Sequence, residues 1–294
     1  MEWLLYAFLA MIFLTVVNLM DKHIVSDELR DPMLVTTVFG IGVSVLFLIV
    51  ALINGLTAVP VGTALFSLLA GLCYSCALWF YYHVMQKEEV SRFVPILAME
   101  PMFIAVIAFF AFAEKLGVMQ YGAIVLIFFG AVLISHQDGR KKSVERKLRL
   151  LAFSGVAFFV ARNLIFSYVT EAVPFQSILF WLGIGGLIIP VILLMFHHPH
   201  LKKKAKKGVQ HLVLNSWLSG FAIMFFVKAI AIGQVTVVSA LISTKPLLVF
   251  VVALFMSKFH PAFISEKNTR KDILKKSVAI VLIVTGGILL VLFN

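Results

Sequence analysis

Ten continuous apolar runs, each about twenty residues long, alternate with short polar connections along the chain. No alternation of period two runs through them, so strands of a closed barrel are not indicated. The length matches a helix crossing about 30 Å of hydrocarbon at 1.5 Å per residue, and helices satisfy every backbone amide internally where no water is available. The pattern predicts spans at 3–20, 33–53, 61–85, 90–113 and 117–135, then 150–170, 174–196, 210–231, 235–257 and 274–293. The first run lacks a preceding basic residue and a small-x-small site before Asp21, so it is expected to stay as a helix and not be cleaved. The polar stretches 136–149, 197–208 and 258–276 are each too short to enclose a soluble core.

The second five runs repeat the first. At an offset of 145, Asn18 pairs with Asn163, Phe80 with Phe225, Val90 with Val235, Ser91 with Thr236, Pro101 with Pro246, Ala108 with Ala253 and Phe110 with Phe255. In the last run of each half, Ala123-Ile124-Val125-Leu126-Ile127 matches Ala279-Ile280-Val281-Leu282-Ile283, and Gly130 matches Gly286, at an offset of 156. An odd number of crossings per unit starts the second copy on the opposite face. The expected fold is therefore all-α and integral to the membrane, with ten transmembrane helices as two inverted five-helix repeats. These repeats are residues 1–135 and 150–294, joined by a basic linker, 136–149. Inverted repeats give a transporter two nearly equivalent conformations with the substrate at their interface near the midplane.

Composition agrees with this pattern. A chain with 62% apolar residues, 13% charged residues and a mean hydropathy of +1.04 has too little polar surface for a soluble globule. The net charge of +11 is confined to alternate connections. Lys22, Arg30, Lys87 and Arg92 lie in the first and third, residues 140–149 fill the fifth, and Lys202, Lys203, Lys204, Lys206 and Lys207 fill the seventh. Lys258, Lys267, Arg270, Lys271, Lys275 and Lys276 fill the ninth, whereas the even-numbered connections and the two ends hold Lys115 alone. Positive-inside bias puts the odd-numbered connections in the cytoplasm and both ends outside, and it accounts for the charge without a nucleic-acid partner. The expected location is the plasma membrane, with the lipid bilayer as the chief partner.

The stretch 80–134 resembles the EamA-like family of the drug/metabolite transporter superfamily. The resemblance rests on the turn Glu88-Glu89-Val90-Ser91, Pro95 and Pro101 in helix four, Glu114-Lys115-Leu116 at its end, and a glycine-bearing helix five. The second half follows with residues 229–236, Pro246 and Gly286-Gly287, without an acidic counterpart of Glu114. The resemblance implies a ten-helix bundle whose cavity is lined by helices one, three, four, six, eight and nine, with five and ten peripheral. It also implies export or exchange of small metabolites. Relatives have cytoplasmic ends, opposite to the charge pattern here.

Charged groups inside the spans mark pathways or partners, because each is costly against lipid. Glu100, Arg162 and Lys245 are central, and Glu100 aligns with Lys245, each directly before its proline. An interior ion pair between them is expected. Glu100 is a candidate proton carrier, and Lys245 and Arg162 are candidates to bind a carboxylate or phosphate. Two central cations against one carboxylate leave a positive charge that an anionic substrate group would balance. Asn18 and Asn163 either bind substrate or tie helices together. Pro101 and Pro246 each free a carbonyl one turn back and are candidate hinges.

Other features lead to structural readings. Cys73 and Cys76 lie within an apolar helix without a second pair, and the histidines His197, His198, His200 and His211 sit among lysines, so no metal site is expected. Lys228 is near enough to a helix end to snorkel, and Trp79, Phe80, Tyr81 and Tyr82 read as an interfacial belt. Gly183, Gly185 and Gly186 suit close helix packing. No nucleotide loop, no acidic metal motif and no cofactor signature is present, so an ATP-driven pump and an enzyme are disfavoured. The expected function is a secondary transporter, exporter or exchanger, of a small polar or amphipathic metabolite carrying an anionic group. An intramembrane enzyme and a non-transporting receptor or lipid-handling protein stay as alternatives. Monomer and homodimer are both open.

Overall fold

A computed structural model describes residues 2–88, 93, 96–113, 115–135, 142–170, 173–196, 205–259 and 270–293. Pro95, the 89–91 part of the expected turn, Glu114, His197, His198, His200 and Lys202 to Lys204 lie outside the described residues. The chain is all-helical, at 89% helix with no strand among the described residues, which leaves a helical bundle as the only spanning architecture.

In chain order the helices are α1 (Glu2–His23), α2 (Pro32–Ile53), α3 (Val61–Met85), α4 (Glu100–Ala111), α5 (Val118–Ser135) and α6 (Lys142–Thr170). They continue as α7 (Phe175–Phe196), α8 (Ala205–Ile232), α9 (Val235–Ile242), α10 (Lys245–Phe259) and α11 (Arg270–Leu292). Among the described residues, seven segments are long and apolar enough to cross a membrane: Glu2–Glu28, Pro32–Ile53, Val61–Met85, Arg146–Thr170, Phe175–Phe196, Lys206–Ile232 and Val235–Val252. The outer surface is apolar, with Ile53, Val61, Phe110, Val118 and Phe196 all more than 70% exposed. Such a surface is stable only against lipid.

Several boundaries differ from the apolar runs. The first helix does not stop at Met20: α1 continues to His23 and then widens into a π-helical turn, Ile24–Glu28. Inside a bundle, polar side chains can replace lipid contacts, so a charged residue need not end a span. Helix α6 starts at Lys142, so the second part of the expected 136–149 linker is helical. There Arg146 and Arg149 are exposed, where long basic side chains can reach the headgroup level. Helix α2 starts where the pattern predicts, because the Asp31 carboxylate accepts from the Met33 and Leu34 amides and Pro32 has no N–H to lose.

The predicted fourth and ninth spans are each interrupted next to the candidate hinge prolines. In the ninth, α9 ends at Ile242 and α10 starts at Lys245. Turns carry the chain through the break, with Thr244 N–H donating to Leu241 O at 3.1 Å and Leu247 N–H to Thr244 O at 3.0 Å. In the fourth, α4 starts at Glu100 after the same arrangement: Met99 N–H to Ile96 O and Met102 N–H to Met99 O, both at 3.2 Å. Pro101 and Pro246 are second in their half-helices, where a missing N–H costs nothing, so each proline specifies a helix start.

Close approach depends on small residues. A Cβ at Gly185 would strike the Leu68 carbonyl and one at Gly71 the Leu182 carbonyl, so α7 lies directly on α3. A Cβ at Gly183 would lie 3.0 Å from the Ser44 carbonyl, so α7 packs closely onto α2 in the same way. At the periphery α5 and α11 form a reciprocal contact. A Cβ at Gly130 would lie 2.6 Å from Ala279 O, and one at Gly286 would lie 2.5 Å from Ala123 O.

Among the described residues, the first, third and seventh connections come together at one end of the bundle. Lys22 Nζ donates to the carbonyls of Met85 (3.0 Å) and Glu88 (2.6 Å), and His211 Nδ1 meets Glu28 Oε1 at 2.8 Å. The second and sixth connections meet at the other end through Thr57 Oγ1 and Ser177 Oγ, 2.9 Å apart.

Candidate functional site

Helices α1, α3, α6, α8 and the two broken spans enclose a central cavity of about 80 Å³, with Phe39 of α2 closing one side. All five candidate binding residues, Asn18, Glu100, Arg162, Asn163 and Lys245, line it. Pro101 and Pro246 stand next to it as the second residues of α4 and α10. Most of the lining falls into pairs 145 apart: Leu14 with Phe159, Val17 with Arg162, Asn18 with Asn163, Tyr74 with Ser219, Leu78 with Ile223, Tyr81 with Phe226, Leu97 with Ile242, and Glu100 with Lys245. One pair touches, the Tyr74 and Ser219 hydroxyls being 3.4 Å apart.

The second-half wall carries the cationic pole. The Arg162 guanidinium lies over four rings, those of Tyr74 (5.2 Å), Phe159 (4.9 Å), Phe166 (5.5 Å) and Phe226 (5.8 Å), an arrangement that offsets part of its lost hydration. Its Nε and Nη2 donate to Asn163 Oδ1 at 3.0 and 2.8 Å, and Asn163 Nδ2 then donates to Glu100 Oε2 at 3.1 Å. Arg162, Asn163 and Glu100 thus form one chain whose amide orientation is fixed at both ends.

Lys245 is buried at 8% exposure and begins α10. That position is unfavourable for a cation, since the free N–H groups of a helix start already carry positive partial charge. Glu100 at the start of α4 has the favourable sign. The expected ion pair is not formed: no contact within 4 Å joins Glu100 to Lys245, and Glu100 takes its hydrogen bond from Asn163 instead. The two share the cavity at longer range, where Lys245 and Arg162 both act on the Glu100 charge.

The sequence reading missed an anionic pole on the opposite wall. Asp21, 1% exposed, accepts hydrogen bonds from Tyr81 (3.0 Å), Tyr82 (2.9 Å) and Asn215 (2.8 Å). Asp21 lies at the end of an apolar run, so it resembles a boundary residue. Tyr81 and Tyr82, read as interfacial, are buried and turned inward, while Trp79 and Phe80 stay half-exposed. The one available signal was spacing, since Asp21 lies one helical turn after Asn18 on the same face of α1. With Asp21 included, the cavity holds two carboxylates and two cations, so the simple charge count changes. Arg162 and Lys245 both act on Glu100, while Asp21 is engaged by two phenols and an amide, which keeps the cations grouped as a candidate anion site.

Two buried lining groups have no hydrogen-bond partner among the described residues, Asn18 Nδ2 and Ser239 Oγ. Unpaired buried polar groups are costly, and here both adjoin a space large enough for water or a small polar group. Elsewhere, Cys73 and Cys76 are free thiols within α3, and Lys228 is exposed beside the rings of Tyr6 (5.7 Å) and Phe175 (5.5 Å). Among the described residues no group of three or more His, Cys, Asp or Glu is arranged to hold a metal ion.

A lipid-facing helical bundle with a dry exterior and a charged, enclosed centre defines a class, the polytopic membrane protein with an intramembrane polar site. Residues 1–136 match the model of the EamA-like transporter family, a family of membrane transporters. A solved crystal structure of a protein superposes on the chain with a TM-score of 0.72 at 14% identity, covering 98% of this chain and 96% of that one. That likeness is one of fold. No curated protein matches the chain in sequence.

Proposed function

We propose that the chain is a secondary transporter of a small polar or amphipathic metabolite with an anionic group, working by alternating access between two inverted repeats, residues 1–135 and 150–294. The observation that carries this reading is the pairing of the cavity lining at an offset of 145, with Tyr74 and Ser219 in mutual contact. Equivalent residues meet only next to an axis that relates the two halves. The reciprocal Gly130 and Gly286 contacts are of the kind a two-fold axis generates. The matching breaks before Glu100 and Lys245 place unwound backbone at the centre, where transporters of this design hold their cargo.

Lys245 and the outer N–H groups of Arg162 are the anion-binding elements of this reading, Glu100 and Asp21 its acidic ones, and Asn18 and Asn163 its neutral ones. A cavity of about 80 Å³ is well below the roughly 300–1,000 Å³ of small-molecule sites, so loading requires its walls to move apart. The breaks at 98–99 and 243–244 supply joints for that opening. The plasma membrane is the proposed location, with the basic end in the cytoplasm.

Uptake and efflux in proteoliposomes, with a panel of labelled carboxylates, phosphate esters, amines and zwitterions, test the reading. Saturable flux of an anion-bearing solute, lost in Lys245→Met, supports it. Folded, reconstituted protein that moves no member of the panel in either direction refutes it.

A further inference from the structure

The chain Asp21, Tyr81, Asn18 contains one proton too few for its contacts. Tyr81 Oη lies 3.0 Å from Asn18 Oδ1 and 3.0 Å from Asp21 Oδ2, yet a phenol has a single proton to donate. Asp21 Oδ1 already accepts twice, from Tyr82 and from Asn215 Nδ2, so a further proton on this carboxyl goes to Oδ2. Asn18 Nδ2 has no partner.

Two arrangements satisfy all three groups. With a proton on Asp21, Oδ2–H donates to Tyr81 Oη, Tyr81 donates to Asn18 Oδ1, and the Asn18 NH2 is left for the cavity. With Asp21 ionised, Tyr81 donates to Asp21 Oδ2, and Asn18 turns over about its Cβ–Cγ bond so that Nδ2–H donates to Tyr81 Oη. The Asn18 carbonyl is then left for the cavity. Amide nitrogen and oxygen occupy nearly the same places, so the reversal requires no backbone movement.

We propose that Asp21 is a proton-binding site whose occupancy, relayed through Tyr81, switches Asn18 between hydrogen-bond donor and acceptor at the cavity wall. The repeat supports the asymmetry. Asn163, the counterpart of Asn18, is held in one orientation by Arg162 and Glu100, whereas the counterparts of Asp21 and Tyr81 are Phe166 and Phe226, which have no proton to exchange. Only the first-half asparagine is free to turn over.

Among the described residues no ion pair engages the Asp21 carboxyl. Helix α3 presents Tyr74, Tyr81 and Tyr82, and α8 presents Asn215. On its own helix Lys22 reaches the Met85 and Glu88 carbonyls, and His23 faces Asp27 and Glu28. Arg162, Lys245 and Glu100 are elsewhere on the cavity wall, and none forms an ion pair with Asp21. Given the transporter reading above, on which this consequence rests, the protonated form offers an extra N–H to an anionic solute and the ionised form offers a repelling carbonyl. Proton and anion then bind together.

The switch itself is tested without a solute, by infrared difference spectroscopy of the full chain in lipid vesicles across an acid titration. Acidification should bring up a carboxylic C=O component that is missing in Asp21→Asn and is distinct from any contributed by Glu100 and the other carboxyls. The Asn18 side-chain amide band, assigned by its loss in Asn18→Ser, should shift on the same titration curve. Tyr81→Phe should keep the carboxyl band and lose the Asn18 shift. A wild-type Asn18 band that stays still while the Asp21 carboxyl band grows overturns the proposal, as does a carboxyl spectrum that is unchanged in Asp21→Asn or an Asn18 shift that survives in Tyr81→Phe. The wild-type titration decides even if a variant does not fold. Because no transported solute enters these measurements, their failure is distinct from an absence of flux in the panel assay.

Discussion

Tyr74 and Ser219 hydrogen-bond to each other at 3.4 Å although 145 residues separate them, the same separation that aligns the two halves of the chain. Both line the central cavity, so the contact joins α3 to α8 there. Removing the phenol in Tyr74→Phe keeps the ring over Arg162 and deletes the bond. We expect a loss of about 1 kcal/mol, the ordinary worth of such a bond, read as a small drop in thermal stability in detergent. Ser219→Ala should cost a similar amount, and the double variant no more than either alone, because both delete the same bond.

Glu100 and Lys245 occupy counterpart positions and share a cavity without touching. A buried contact pair would lose about 3–5 kcal/mol when one member is removed and recover when both are. Two charges coupled across a cavity should behave differently. Glu100→Gln retains an acceptor for Asn163 Nδ2, so stability should hold within about 1 kcal/mol. Lys245→Met also relieves the cation at the start of α10. Flux should fall in both single variants and fail to return in the double variant. Recovery of both stability and flux in the double variant would show that the pair only sets packing.

The sequence allowed the helical membrane bundle and five of the cavity residues to be read, because apolar length and intramembrane charge are both rare enough to carry information. Breaks were harder to place. Pro101 and Pro246 announce a disturbance, but a kinked helix and a new helix start have the same sequence until the turns at Met99 and Thr244 are seen. Asp21 was hidden by its position at the edge of a run, and Tyr81 by an aromatic cluster that an interfacial belt explains equally well. Both are identified only by each other, across 60 residues and two helices.

The glycines at 130 and 286 supply a packing test. A methyl at Gly130 would meet Ala279 O and Ile283 Cγ1 at 2.6 and 2.7 Å, and one at Gly286 would meet Ala123 O and Ile127 Cγ1 at 2.5 and 2.7 Å. These are too close for the methyl to be accommodated without moving a helix. Gly130→Ala and Gly286→Ala should each cost about 1–3 kcal/mol, the range for overpacking. The costs should be nearly equal, since the contacts mirror each other. The double variant should cost less than the sum, because either methyl alone already separates α5 from α11. Unequal costs that add in full would mean that the two sites are independent.

Orientation provides the last test, and the structure defines where to place the labels. Arg30 is exposed at the end that collects Lys22, Lys87, Arg146, Lys206 and Lys207, whereas Asn54 is exposed at the opposite end, near the Thr57 and Ser177 contact. The only native thiols, Cys73 and Cys76, lie within α3, so replacing both by alanine gives a background free of native labelling. Retention of basic loops on the synthesis side acts on short connections such as these, so the Lys and Arg distribution should fix the sidedness. In intact cells a membrane-impermeant maleimide should label Asn54→Cys at once and Arg30→Cys only after permeabilisation. The reverse result would place the basic end outside and both chain ends in the cytoplasm, as the family resemblance implies. It would also invert the side from which the proton on Asp21 is supplied, because Asp21 lies one turn from the basic end of α1 while Lys228 and Phe175 mark the other end of the bundle.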